Sequence, residues 1–181
     1  MNKNRFFIFS TCILYTLTFL IAGCGDLKVD SSFNPPATKL AKFKALEIAD
    51  FETQIDNVPK AALTTIPDEV AKLLASKKNT FQKVERGKIE DVPAEDTLIL
   101  LGEITDYQSV KSFKAEGGAL KFGVASLSIQ IRLVEKATGE EVAAGEVSGS
   151  SSIGFLRDVG VTQGVYKGLA EEIVNSISQN H

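Results

Sequence analysis

Apolar residues along this chain recur in two rhythms, every second place or every third to fourth, and each change of rhythm marks an element. Phe43 to Phe51 (FKALEIADF) alternates and predicts a first strand, with Leu46 and Ile48 on one side and Ala45, Ala49 and Phe51 on the other. Glu52 to Leu63 has no rhythm, and Asn57 and Pro59 mark turns. A helix follows: Thr65 serves as N-cap, Pro67 fits the first turn, and Asp68 and Glu69 suit the positive helix end. Val70, Leu73 and Leu74 supply its apolar stripe, and Lys77-Lys78-Asn79 closes it. Phe81 to Arg86 predicts a short second strand, and Gly87 to Asp96 a turn region with Pro93. Thr97 to Tyr107 holds an unbroken apolar run from Leu98 to Leu101, which predicts a central strand covered on both faces. Gly102 within it marks a bulge or a close approach. Val124 to Glu135 alternates strictly and predicts one dry and one wet face. Ala137-Thr138-Gly139-Glu140 makes a turn, and Glu141 to Ser150 returns as the hairpin partner. From Val161 to Ser178, Val161, Val165, Leu169, Ile173 and Ile177 recur every fourth residue and predict a closing helix. The order predicts an α+β two-layer sandwich: a mixed sheet of about five strands with both helices on one face.

The first residues follow a different pattern. Lys3 and Arg5 precede an almost charge-free run from Phe6 to Ile21, and small residues Ala22 and Gly23 come next. That is the layout of an export signal. A membrane-spanning helix needs about 20 apolar residues, and this run is shorter and lacks a following basic cluster. Its ending, Ile21-Ala22-Gly23-Cys24, resembles the bacterial lipobox, which implies cleavage before Cys24 and diacylglyceryl modification of its thiol. Three acyl chains are then expected, and two or more hold a protein stably on a membrane at about 0.8 kcal/mol per buried methylene. Gly25 rather than Asp follows Cys24, which favours the outer membrane, facing the periplasm. The chain thus divides into a signal over 1–23, a lipidated N-terminus with a flexible tether over 24–42, and a single periplasmic domain over 43–181. Asp30, Ser31, Ser32 and Pro35-Pro36 give the tether its polar, extended character.

Charge and side-chain inventory narrow the function. With Lys3 and Arg5 removed from 20 basic residues, 18 remain against 23 acidic ones, a formal charge of −5. That disfavours nucleic acid, which needs a basic surface. Cys12 leaves with the signal and Cys24 is lipidated, so no disulfide forms within the mature chain. The one histidine, His181, is placed at a frayed end and given no role. Without further His or free Cys, Ser–His and Cys–His catalysis and zinc sites lack their parts. Asp50/Glu52 and Glu103/Asp106 are the carboxylate pairs placed for hydrolysis or calcium, although carboxylates at strand ends are more often solvated. The glycines at 117, 118, 123, 145, 149, 154, 160, 164 and 168 follow no phosphate-loop spacing. Gly164 and Gly168 fit close helix–sheet packing. Lys111-Ser112-Phe113-Lys114 reads as a solvated loop with one inward phenylalanine.

LLGEITDYQSV from Leu100 and FGVASLSIQIRLVEKATGEEVAAGEVSGSSS from Phe122, followed by a final helix, resemble an uncharacterised family of bacterial lipoproteins, the domain of unknown function numbered 4410. The early ALEIADF strand fits the same family. The resemblance implies a fold similar to the N-terminal domain of the TolB translocation protein and to the curli-secretion lipoprotein. It implies no enzymatic activity and no functional residue apart from Cys24. The expectation is a membrane-anchored, non-enzymatic binding or assembly module without cofactor or metal. It would meet an envelope protein through its wet faces or through the loops Gln108–Phe122 and Gly149–Gly160. The alternatives are an oligomeric or secretion-associated component and an envelope hydrolase using Glu103 or Asp106.

Overall fold

The computed structural model describes residues 27–34, 36, 39–77, 79–108, 123–153 and 158–181. The expected signal over 1–23, the expected lipobox Ile21, Ala22, Gly23 and Cys24, and residues 111–114 lie outside them. The elements are β1 (Leu27–Phe33), β2 (Ala45–Ile48), β3 (Glu52–Thr53), α1 (Lys60–Ser76), β4 (Lys83–Arg86), β5 (Thr97–Gln108), β6 (Gly123–Glu135), β7 (Glu141–Ile153) and α2 (Asp158–Gln179). Together they form one open mixed sheet of seven strands with two helices.

The long strands alternate as their sequence requires. Leu127, Ile129, Ile131 and Leu133 of β6 are all buried, beside Leu98, Leu100 and Ile104 of β5 and Val147 of β7. A one-residue slip would expose the whole β6 set, and each fully buried Leu or Ile contributes roughly 1.5–3 kcal/mol. That holds the β5–β6 and β6–β7 register. Ala62, Ile66, Val70 and Leu74 of α1, and Val165, Leu169, Ile173 and Ile177 of α2, join the same core, so both helices cover one face. Ile99 and Leu101 point the other way and are only half-buried. The apolar run in β5 therefore does not mean cover on both sides.

Strand order is β1-β7-β6-β5-β2-β4, with β3 extending β2 along the same side of β5. The β2–β4 and β2–β5 pairs are parallel, as is β3–β5, and the rest are antiparallel. Parallel neighbours need crossovers. The crossover from β2 to β4 is α1, on the helix face. The crossover from β4 back past β2 to β5 is the segment 87–96, which has a single 3-10 turn, Ala94–Asp96. It runs over the opposite face, where Ile89 is buried outside the main core. Two crossovers moving in opposite directions across a sheet keep one hand only if they lie on opposite faces.

Three expectations need correction. The segment expected to be a tether contains β1, which pairs antiparallel with β7 along its whole length, from Leu27 opposite Ser151 to Phe33 opposite Gly145. The strand expected over Phe43–Phe51 breaks after Ile48, and the break turns Phe51 onto the core side against Gly102. The helix expected from Thr65 starts at Lys60, with Pro59 as N-cap. Pro67 then sits in the helix interior, where it leaves the Leu63 carbonyl without its usual donor. The Phe51 N–H fills that place at 3.1 Å.

Candidate functional site

The face of the sheet away from the helices carries the polar half of each long strand. Strand register lines these residues up in rows. Asp30, Ser148, Ser128 and Asp106 form one row across β1, β7, β6 and β5. Ser32, Glu146, Gln130 and Glu103 form the next, which Glu52 of β3 extends. Lys28, Ser150, Ser126 and Gln108 form a third. All are half-buried or exposed. Hydroxyl and amide groups can donate or accept, whereas ionised carboxylates only accept. With five carboxylates against Lys28, these rows suit a partner that brings donors and positive charge.

The carboxylates singled out from sequence regroup. Asp50 leaves its pair with Glu52 and forms a salt bridge with Arg86, whose Nε also donates to Asp68 at 2.7 Å and whose Nη1 donates to the Ile48 carbonyl at 2.6 Å. That cluster ties the end of β4 to β2 and α1. Glu103 and Asp106 lie in different rows, on either side of a register shift between Ile104 and Asp106. Glu52 and Glu103 become direct neighbours across parallel strands. Among the described residues, no group of three or more His, Cys, Asp or Glu is placed to hold a metal ion.

Sequence reasoning passed over Glu47, the polar member of ALEIA. It is 5% exposed. Its Oε1 accepts from the Ile89 N–H at 2.7 Å and from Lys136 Nζ, and Lys136 also donates to the Ile89 carbonyl at 2.6 Å. The trio pins the 87–96 crossover to the sheet and the β6–β7 turn. These contacts tie backbone and side chain from three separate segments together, so its chemistry is structural. The signal was available: a lone glutamate inside an apolar strand must find a partner if that strand is central.

Between α1 and α2 lies a groove of about 440 Å³ lined by Thr65, Glu69, Lys72, Tyr166 and Lys167. Tyr166 is buried, and its Oη has no partner among the described residues. Burial pushes its phenol up, with Tyr107 adding to the effect, so it stays protonated as a donor. Lys72 bridges to Glu69 at 3.4 Å. No nucleophile is set beside a base among these groups. His181, expected to fray, instead packs edge-on against Phe81 with ring centroids 4.8 Å apart. Its pKa falls below the ordinary 6.5 through burial, opposed by a backbone hydrogen bond at Phe43. Gly168 explains itself: a Cβ there would come within 2.8 Å of Leu27 Cδ2, so α2 lies directly on β1, whereas Gly164 faces open space. Among the described residues no helix is long and apolar enough to cross a membrane.

No protein-family model matches the chain, and no curated protein matches it in sequence. Solved structures do match. The PelC dodecamer from Paraburkholderia phytofirmans shares the fold at a TM-score of 0.51 and 10% identity, covering 82% of this chain and 97% of that one. A Helicobacter pylori protein described as a neuraminyllactose-binding hemagglutinin homologue gives 0.51 and 10%, covering 80% and 87%. Lipoprotein GNA1162 from Neisseria meningitidis gives 0.47 and 16%, covering 75% and 99%. Identities this low show the fold alone, an open α+β sandwich.

Proposed function

We propose that this chain is a lipoprotein of the 4410 family, anchored through acylated Cys24 on the outer membrane and facing the periplasm. It works by binding an envelope protein on the open face of its sheet and catalyses no reaction. The observation that carries the binding reading is the set of aligned polar rows. Four hydrogen-bonded strands hold the backbone beneath them rigidly, so little backbone ordering remains to oppose binding. The carboxylate excess favours a basic partner surface and speeds its encounter. A photo-crosslinking residue at Ser128 or Ser148 in intact cells is expected to give a discrete adduct. That adduct should be lost on Glu103→Lys with Glu146→Lys. Adducts from Lys167 but none from Ser128 or Ser148 would shift binding to the helix layer and end this reading. The anchor is tested separately by the mass of the mature N-terminal peptide, with Cys24→Ser as control.

A second reading, self-assembly, has its own support. Strands β1 and β4 are the two ends of the sheet and each lacks a neighbour on its outer side among the described residues. The similarly folded PelC crystallised as a dodecamer. Native mass of the detergent-solubilised lipoprotein decides it: a multimer supports assembly, and a monomer at all concentrations removes it.

A further inference from the structure

We infer that the sheet stands end-on against the bilayer, with the Leu27 end of β1 at the lipid headgroups and the turn after β6 farthest from them. This rests on the acylation of Cys24. Gly25 and Asp26 alone separate that cysteine from Leu27, the first residue of β1. A fully extended chain spans at most about 3.6 Å per residue, so Leu27 stays within about 11 Å of the anchored residue. Strand β1 cannot peel away to lengthen this link. All seven of its residues are registered against β7, and its core-facing side chains lie under α2. Ser31 Oγ adds a hydrogen bond to Glu172 at 2.5 Å.

The exposed surface at this end agrees. Leu27 is the one large apolar residue among the described residues that stays exposed, at 42% of its surface, although α2 covers the rest. Lys28 beside it is exposed as well. An apolar side chain next to a cation suits the interface between acyl chains and headgroup phosphates. At about 3.3 Å per residue, the 13 residues of β6 span about 40 Å, which places Thr138 well away from the lipid. The sheet face that bears the polar rows therefore stands upright, with the rows stacked at successive heights above the bilayer and reachable from the side by a partner in solution.

The test uses the mature, acylated protein in phospholipid vesicles carrying a headgroup quencher. With Cys24 blocked by its lipid, Lys28→Cys and Thr138→Cys each offer one labelling site. The Lys28→Cys label is expected to lose most of its fluorescence and the Thr138→Cys label almost none. A Gly-Ser spacer of about 20 residues between Asp26 and Leu27, with a reach of about 25 Å, is expected to relieve most of that quenching. Equal quenching at both positions, or none at Lys28→Cys, overturns the orientation when mass shows Cys24 to be acylated. Cys24 without lipid overturns the anchor reading instead.

Discussion

Glu47 and His181 show how single side chains fare when the fold surrounds them. Removing one partner of a buried ion pair leaves the other desolvated without compensation. Glu47→Gln is expected to cost about 3 kcal/mol, the lower end for such a break, because Lys136 keeps 24% of its side chain exposed. Urea unfolding of the Cys24→Ser protein measures it. His181 acts through protons. Its folded pKa lies below 6.5, so the unfolded chain binds the extra proton first as pH falls. The share of stability linked to His181 is thus fully present above 6.5, declines below it, and levels off once the folded form is also protonated. Melting curves across this range should show the slope in the native protein and lose His181's share of it in His181→Phe. Gly102 has the opposite problem, too little space. A Cβ would fall 2.5 Å from Phe51 Cδ1. Gly102→Ala is expected to destabilise by about 1–3 kcal/mol, and Phe51→Leu alongside it should restore part of the loss.

At the scale of elements, α1 shows a local rule overridden by a tertiary contact. A proline inside a helix ordinarily costs about 3 kcal/mol, which is why the sequence reading placed Pro67 in the first turn. Here the Phe51 N–H occupies the acceptor that the proline frees, and the break between β2 and β3 brings Phe51 there. Pro67→Ala is therefore expected to gain much less than the full propensity difference of about 3 kcal/mol. The new N–H competes for an acceptor already in use. Melting temperature reads the net change, and faster hydrogen exchange at Phe51 would report the competition. The β6–β7 hairpin and α2 were legible because their rhythms run long enough for burial to dictate one register. The β5 run was legible as a strand, but its cover was not. Four consecutive apolar residues look alike whether the second face is packed or merely half-buried.

For the whole molecule, the decisive feature is β1. Its sequence, LKVDSSF, has weak alternation and a polar majority, so it reads as spacer. It becomes a strand because β7 presents an unpaired edge and α2 leaves room at Gly168 for Leu27 and Val29. The edge contact is tight at Gly145, where a Cβ would sit 2.6 Å from the Ser32 carbonyl oxygen. Gly145→Ala is expected to loosen β1 while sparing the core. Hydrogen exchange should quicken across Leu27–Phe33 and remain slow in β5 and β6; uniform quickening would mean that β1 is integral to global stability.

What the sequence determined by itself were features carried by neighbours along the chain: the rhythms of β6, β7 and α2, and the α+β class that follows from their order. Each depends on period or adjacency, which a linear string displays. Only the tertiary structure decided the rest. It split the two carboxylate pairs, set Glu52 beside Glu103, buried Glu47 under a second crossover, and turned a spacer into an edge strand. Those outcomes depend on which strands become neighbours, and distant segments settle that when they compete for the same edges and faces.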